Sequence, residues 1–146
     1  QTLIPPDPRA ALEVRLMERL LDLYVMLPMQ AIVADQLRAE ADRDALAVAQ
    51  ARTTLATAYG LLEQRLAGRD WMAGDAFSLA DCTAAPALFY ASTLVPFADG
   101  QPRLTAYFDR VVERPSVARV LAEARPYFRF YPFSERLPQR FLQPAD

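Results

Sequence analysis

Apolar residues return every three or four positions through most of this sequence, and no stretch alternates apolar with polar as a half-buried strand would. That period commits the chain to helices packed on helices, an all-α class. Proline and glycine cut the pattern into segments. Pro5 and Pro6 hold the start extended, Asp7 stands where an N-cap belongs, and Pro8 takes the first helical position. The spacing then predicts a helix from 9 to about 38 with Leu12, Leu16, Leu20, Leu23 and Leu27 on one face. Between Leu20 and Val33 apolar residues spread around most of it, which predicts burial on two sides or a subunit contact. Pro28 predicts a kink.

The charged stretch 39–43 breaks the stripe, and a second long helix is expected over roughly 42–66. Val48, Arg52, Leu55, Tyr59, Leu62 and Leu66 form its stripe. Two long helices around a short polar break read as an antiparallel hairpin. A loop punctuated by Gly68 and Gly74 carries Trp71 and Met72 into the sharpest local signature, Phe77-Ser78-Leu79-Ala80-Asp81-Cys82. Here Ser78 is the N-cap, the Asp81 carboxylate reaches back to its amide, and Phe77 packs on Cys82 as a hydrophobic staple. The helix so begun runs through Ala84, Ala85, Ala87 and Leu88, with Pro86 bending it. Pro102 opens a fourth helix bearing Leu104, Tyr107, Phe108 and Val111 on one side. Pro115 opens a fifth bearing Val117, Val120, Leu121 and Ala124. An aromatic segment, 127–133, follows, and the proline-punctuated remainder is expected to be loosely held.

Composition narrows the chemistry. The chain has 146 residues, 53% of them hydrophobic and 23% charged, enough for one domain with a real core and too apolar for disorder. Sixteen basic residues against eighteen acidic ones leave a net charge of −2, no electrostatic footprint for nucleic acid or an anionic membrane. One cysteine, Cys82, makes no internal disulfide. Histidine is absent, and with it the commonest metal ligand and general base. Ser78 beside Asp81 therefore reads as a cap and not as a nucleophile. Glu40, Asp42 and Asp44 alternate along the chain and do not converge on a metal ion. Cys82 reads as a small hydrophobe hidden in the staple.

The segment from Trp71 to Cys82 resembles the glycine, capping box and staple of cytosolic glutathione transferases, where it starts the central helix of the all-helical C-terminal domain. The two helices opened by Pro102 and Pro115 resemble those that follow there, and Leu3 to Pro8 resembles the linker that leads in. The resemblance, closest in style to bacterial members, implies an orthogonal bundle of five or more helices. It implies a linker over 1–8, a domain over 9–133 and a tail over 134–146. It implies a separated C-terminal half, whose thioredoxin-like N-terminal partner domain would bind glutathione, the cosubstrate, and activate its thiolate. No catalytic residue, cofactor or metal is then expected in this chain.

Its expected part is the wall that receives an apolar small-molecule electrophile, together with part of a homodimer contact, in a cytoplasmic protein. The residues the resemblance points to are Met26, Met29, Val33 and Leu37 on the first helix and Tyr127, Phe130 and Tyr131 after the last. Spacing alone reads the same residues as ordinary core, or as a cover over the bundle. Asp22 and Tyr24 lie on the helix that runs beside the partner subunit in the family, and nothing in the sequence assigns them a role. Two further readings stand beside the enzyme half: a non-enzymatic interaction module of the same fold, and a carrier of apolar ligands.

Overall fold

The computed structural model describes residues 2–143, which form helices and turns with no strand among them beyond one isolated backbone bridge between Trp71 and Gly74. The Asp7 carboxylate accepts from the Ala10 amide at 2.8 Å and starts α1 (Pro8–Leu21). At Asp22–Met26 the helix widens into one π-helical turn and then continues as α2 (Leu27–Gln36). The disturbance expected at Pro28 takes this form. Leu27 donates to the Asp22 carbonyl five residues back, and the extra residue in the turn makes room for a ring that carries no N–H.

The buried face of this long helix is Val14, Met17, Leu21, Val25 and Ile32. The leucine stripe read from the sequence is the outward one: Leu12, Leu16, Leu23 and Leu27 are all more than 40% exposed. Two apolar stripes of helical period share one helix here, and period alone does not say which of them the rest of the chain covers.

Carboxylates fix the turn into α3 (Ala45–Arg65) from both sides. Asp35 accepts from the Asp44 amide at 2.8 Å, and Asp44 caps α3 by accepting from Ala47 at 2.9 Å, so the helix starts three residues later than expected. Arg52, out of character in an apolar stripe, donates to the Leu94 carbonyl at the end of α4 (Leu79–Leu94), a cation set against the negative end of that helix. The central helix α4 buries Ala80, Asp81, Ala84, Ala85, Ala87, Leu88, Phe89, Ala91 and Leu94, and its small side chains let α1 lie close along it.

The buried Glu63 of α3 accepts from the Leu104 amide at 2.8 Å and so caps α5 (Pro102–Glu113) from another helix. The expected face of α5 is inside: Leu104, Tyr107, Phe108 and Val111 are buried. In α6 (Pro115–Ala124) Val117, Leu121 and Ala124 only lean on the core, while Val120 is exposed.

The end of the chain departs from expectation. Tight turns at Arg125–Phe130 and Ser134–Arg136 lead to a short α7 (Gln139–Leu142). Leu137 is buried, Phe141 meets Phe89 edge-on with ring centroids 4.9 Å apart, and Arg140 pairs with Asp109 at 2.7 Å. A segment with this many aromatic and aliphatic groups gains more by burial than prolines cost it. The part of the expected tail at 144–146 lies outside the described residues, as does Gln1.

Burial pushes the phenols of Tyr59 and Tyr107 upward, and for Tyr107 the Asp81 charge adds to it. Unfolded tyrosine ionises near pH 10, whereas these two stay neutral when folded. Above that pH the folded chain holds more protons than the unfolded one, so stability is intact below about pH 10 and falls as pH rises further. The expected result is alkaline unfolding at up to about 1.4 kcal/mol per pH unit for each buried phenol, with their phenolate absorbance appearing only as the chain unfolds. Phenolate signal from every tyrosine at pH 10.5, with helicity intact, would contradict this.

Candidate functional site

The start of α4 is organised around one carboxylate. Asp81 is fully buried and accepts four hydrogen bonds: from the Ser78 amide at 2.8 Å, the Ser78 hydroxyl at 3.1 Å, the Met72 amide at 2.9 Å and the Tyr107 hydroxyl at 2.7 Å. Four donors saturate its lone pairs. The capping box is formed, and the carboxylate also ties the Trp71–Met72 loop and α5 to the same point. From the other side Leu79 donates to the Leu3 carbonyl at 2.9 Å, which lays the N-terminal segment across the first turn of α4.

Phe77 is buried, edge-on to Trp71 at 5.2 Å and under the Arg114 guanidinium at 3.8 Å. Cys82 is only half-buried. It shares with Phe77, Pro86, Val117 and Leu121 an apolar depression of about 330 Å³ between α4 and α6. Burial, then the Asp81 charge, push the Cys82 thiol up, so it is a neutral thiol at physiological pH and a poor nucleophile.

At the far end of α2 a second depression, about 310 Å³ and walled almost wholly by carbon, is lined by Met29, Gln30, Val33, Ala34 and Leu37 with Tyr90 of α4 and Tyr131. Tyr131 is held by two contacts: its ring lies 4.9 Å from that of Tyr90, and its hydroxyl is 2.8 Å from Thr93 Oγ1.

The structure thus brings Met29, Val33, Leu37 and Tyr131 to one groove. It does not bring Met26, which packs against the core, or Tyr127 and Phe130, which are about two-thirds exposed and stand outside it. In the tight turn at Arg125–Phe130 it is Phe128 that goes inward, stacked on Phe89, and this turns Tyr127 and Phe130 to solvent. Tyr90 completes the groove and was not singled out from sequence. Its signal is its place on α4 one residue after the buried Phe89.

A third depression lies between α1 and α3, about 570 Å³, lined by Leu20, Tyr24, Thr53, Thr54, Thr57, Ala58 and Leu61. The three threonine hydroxyls donate back to carbonyls of their own helix and leave their methyl groups outward. Among the described residues no group of carboxylate and cysteine side chains has metal-binding geometry, and no helix is long and apolar enough to cross a membrane.

The family model of the glutathione S-transferase C-terminal domain matches residues 20–115. The chain belongs to that family. A glutathione S-transferase from Methylobacterium radiotolerans, solved with glutathione sulfonate, is 32% identical over 80% of this chain and 56% of its own, with a TM-score of 0.68. One from Methylobacillus flagellatus, solved with glutathione bound, is 24% identical over 93% of this chain and 60% of its own, at 0.69. Gtt2 of Saccharomyces cerevisiae, 21% identical over 82% and 60%, shares the fold at 0.71. No curated protein sequence matches it. This glutathione S-transferase C-terminal domain spans little more than half the length of the solved proteins it resembles.

Proposed function

We propose that this domain supplies the apolar wall against which a glutathione transferase holds its electrophile, in a cytoplasmic protein. The observation that carries the reading is the convergence of Met29 and Val33 from α2, and Leu37 at its C-terminal cap, with Tyr131 from the chain beyond α6 on one carbon-walled groove. A groove of this kind accepts varied apolar bodies, and a flexible thioether adapts to them. Its contribution is orientation, holding the electrophile beside a sulfur that another domain activates. That domain is thioredoxin-like and binds glutathione, and the depression between α4 and α6 suits its docking, because the N-terminal segment crosses α4 right beside it. The described residues offer no activated thiol or histidine base. The 146-residue chain mixed with glutathione and an aryl halide is therefore expected to give the uncatalysed rate only, and saturable turnover would overturn the division of labour.

The outward leucines of the long first helix, Leu12, Leu16, Leu23 and Leu27, together with the depression between α1 and α3, we assign to a homodimer contact. Leu23→Arg together with Leu27→Arg should shift the sedimenting species from dimer to monomer at micromolar concentration. A dimer unchanged by both would place the contact elsewhere.

A further inference from the structure

The residues that line the α2–α4 groove belong to α2 or its C-terminal cap, and to α4 at Tyr90; Tyr131 alone comes from outside these helices, just after the tight turn at Arg125–Phe130. Turns on either side hold its backbone: its amide donates to the Phe128 carbonyl at 3.0 Å, and its carbonyl accepts from Ser134 at 3.0 Å. These bonds fix where the chain runs and leave the rotamer of the ring to side-chain contacts. The groove is walled almost wholly by carbon, so Tyr131 gives it ring carbon, while its hydroxyl lies 2.8 Å from Thr93 Oγ1 on α4. Thr93 Oγ1 donates to the Tyr90 carbonyl at 2.7 Å. Its only proton is thereby committed, and it meets Tyr131 as an acceptor. Thr93 stands on a fixed base, since Arg52 of α3 donates to the carbonyl of the next residue, Leu94. A half-buried phenol without a partner gains by swinging out to water, and the ring would leave Tyr90 with it.

We propose that Thr93 is the positioning residue of this groove: by accepting from Tyr131, its hydroxyl oxygen holds that ring 4.9 Å from Tyr90 as a wall for the electrophile. The proposal rests on the groove being the electrophile wall. It assigns the shape of an apolar surface to one polar contact that itself touches no ligand. The gain is pre-organisation, because a ligand that meets the wall already in place does not have to order it.

The test uses the 146-residue chain and benzophenone. Affinity is read from the shifts of the Val33 and Leu37 methyl signals, and the place of the ring from NMR cross-peaks between the Tyr131 and Tyr90 ring protons. Thr93→Val keeps the branched shape and removes the oxygen. It should weaken binding about two- to tenfold, the range of one net hydrogen bond, and lose the Tyr131–Tyr90 cross-peaks with helicity unchanged. Thr93→Ser keeps the acceptor and should restore both. Tyr131→Phe removes the same bond from the other side, so it should match Thr93→Val, and the double variant should bind no more weakly than either single one. Full affinity in Thr93→Val, failure of serine to restore it, or losses that multiply in the double variant would overturn the role of Thr93 while the groove reading stands. If benzophenone moves neither the Val33 nor the Leu37 signals of the unmodified chain, both the positioning role and the groove reading fall.

Discussion

Asp81→Ala should destabilise the domain by about 3–5 kcal/mol and lower its Tm by roughly 10–15 °C, taking about 3 °C per kcal/mol for a chain of this size. A lost N-cap alone costs about 1 kcal/mol. The larger figure comes from what the other donors are left with: the amides of Met72 and Ser78 and the hydroxyl of Tyr107 converge on a carboxylate that is completely buried. Each buried donor left unpaired costs about 1–3 kcal/mol, reduced where the loop can admit water. Ser78→Ala and Tyr107→Phe each remove only one donor and should cost about 1 kcal/mol. Urea and thermal unfolding of the three variants check the order, and an Asp81→Ala loss no larger than that of Ser78→Ala would reduce Asp81 to an ordinary cap.

Val33→Arg should weaken binding of an apolar ligand at the groove by at least about tenfold, because the guanidinium either occupies a space of about 310 Å³ or must be stripped of water beneath the ligand. Stability should change by less than about 1 kcal/mol, since Val33 is only partly buried and a long basic side chain can reach solvent. Titration of both chains with benzophenone separates the two effects. Equal affinity would take the ligand away from α2.

The places where sequence reading succeeded are those where chemistry is local. Ser78 and Asp81 are three residues apart, so their reciprocal bonds follow from spacing, as does the cap at Asp7. The same four letters say nothing of Met72 and Tyr107, and the cost of losing Asp81 is set by those two. Glu63 capping α5 and Arg52 capping α4 are pairings across about forty residues, invisible until the helices are docked. The leucine stripe shows the other limit: periodicity picked out the outward face of the first long helix as the seam and passed over the buried one of Val14, Met17, Leu21 and Val25. The groove was half legible. Met29, Val33 and Leu37 are neighbours on a helix, whereas Tyr90 joins them only because α4 lies beside α2. Tyr127 and Phe130 misled because aromatic content does not tell which side of a tight turn faces inward.

Mapping methyl and aromatic NMR shifts across the 146-residue chain during titration with an aryl halide tests the central claim most directly. The account predicts that Met29, Val33, Leu37, Tyr90 and Tyr131 move together along one saturable curve. Shifts confined to the depression between α1 and α3, or to that between α4 and α6, would contradict it.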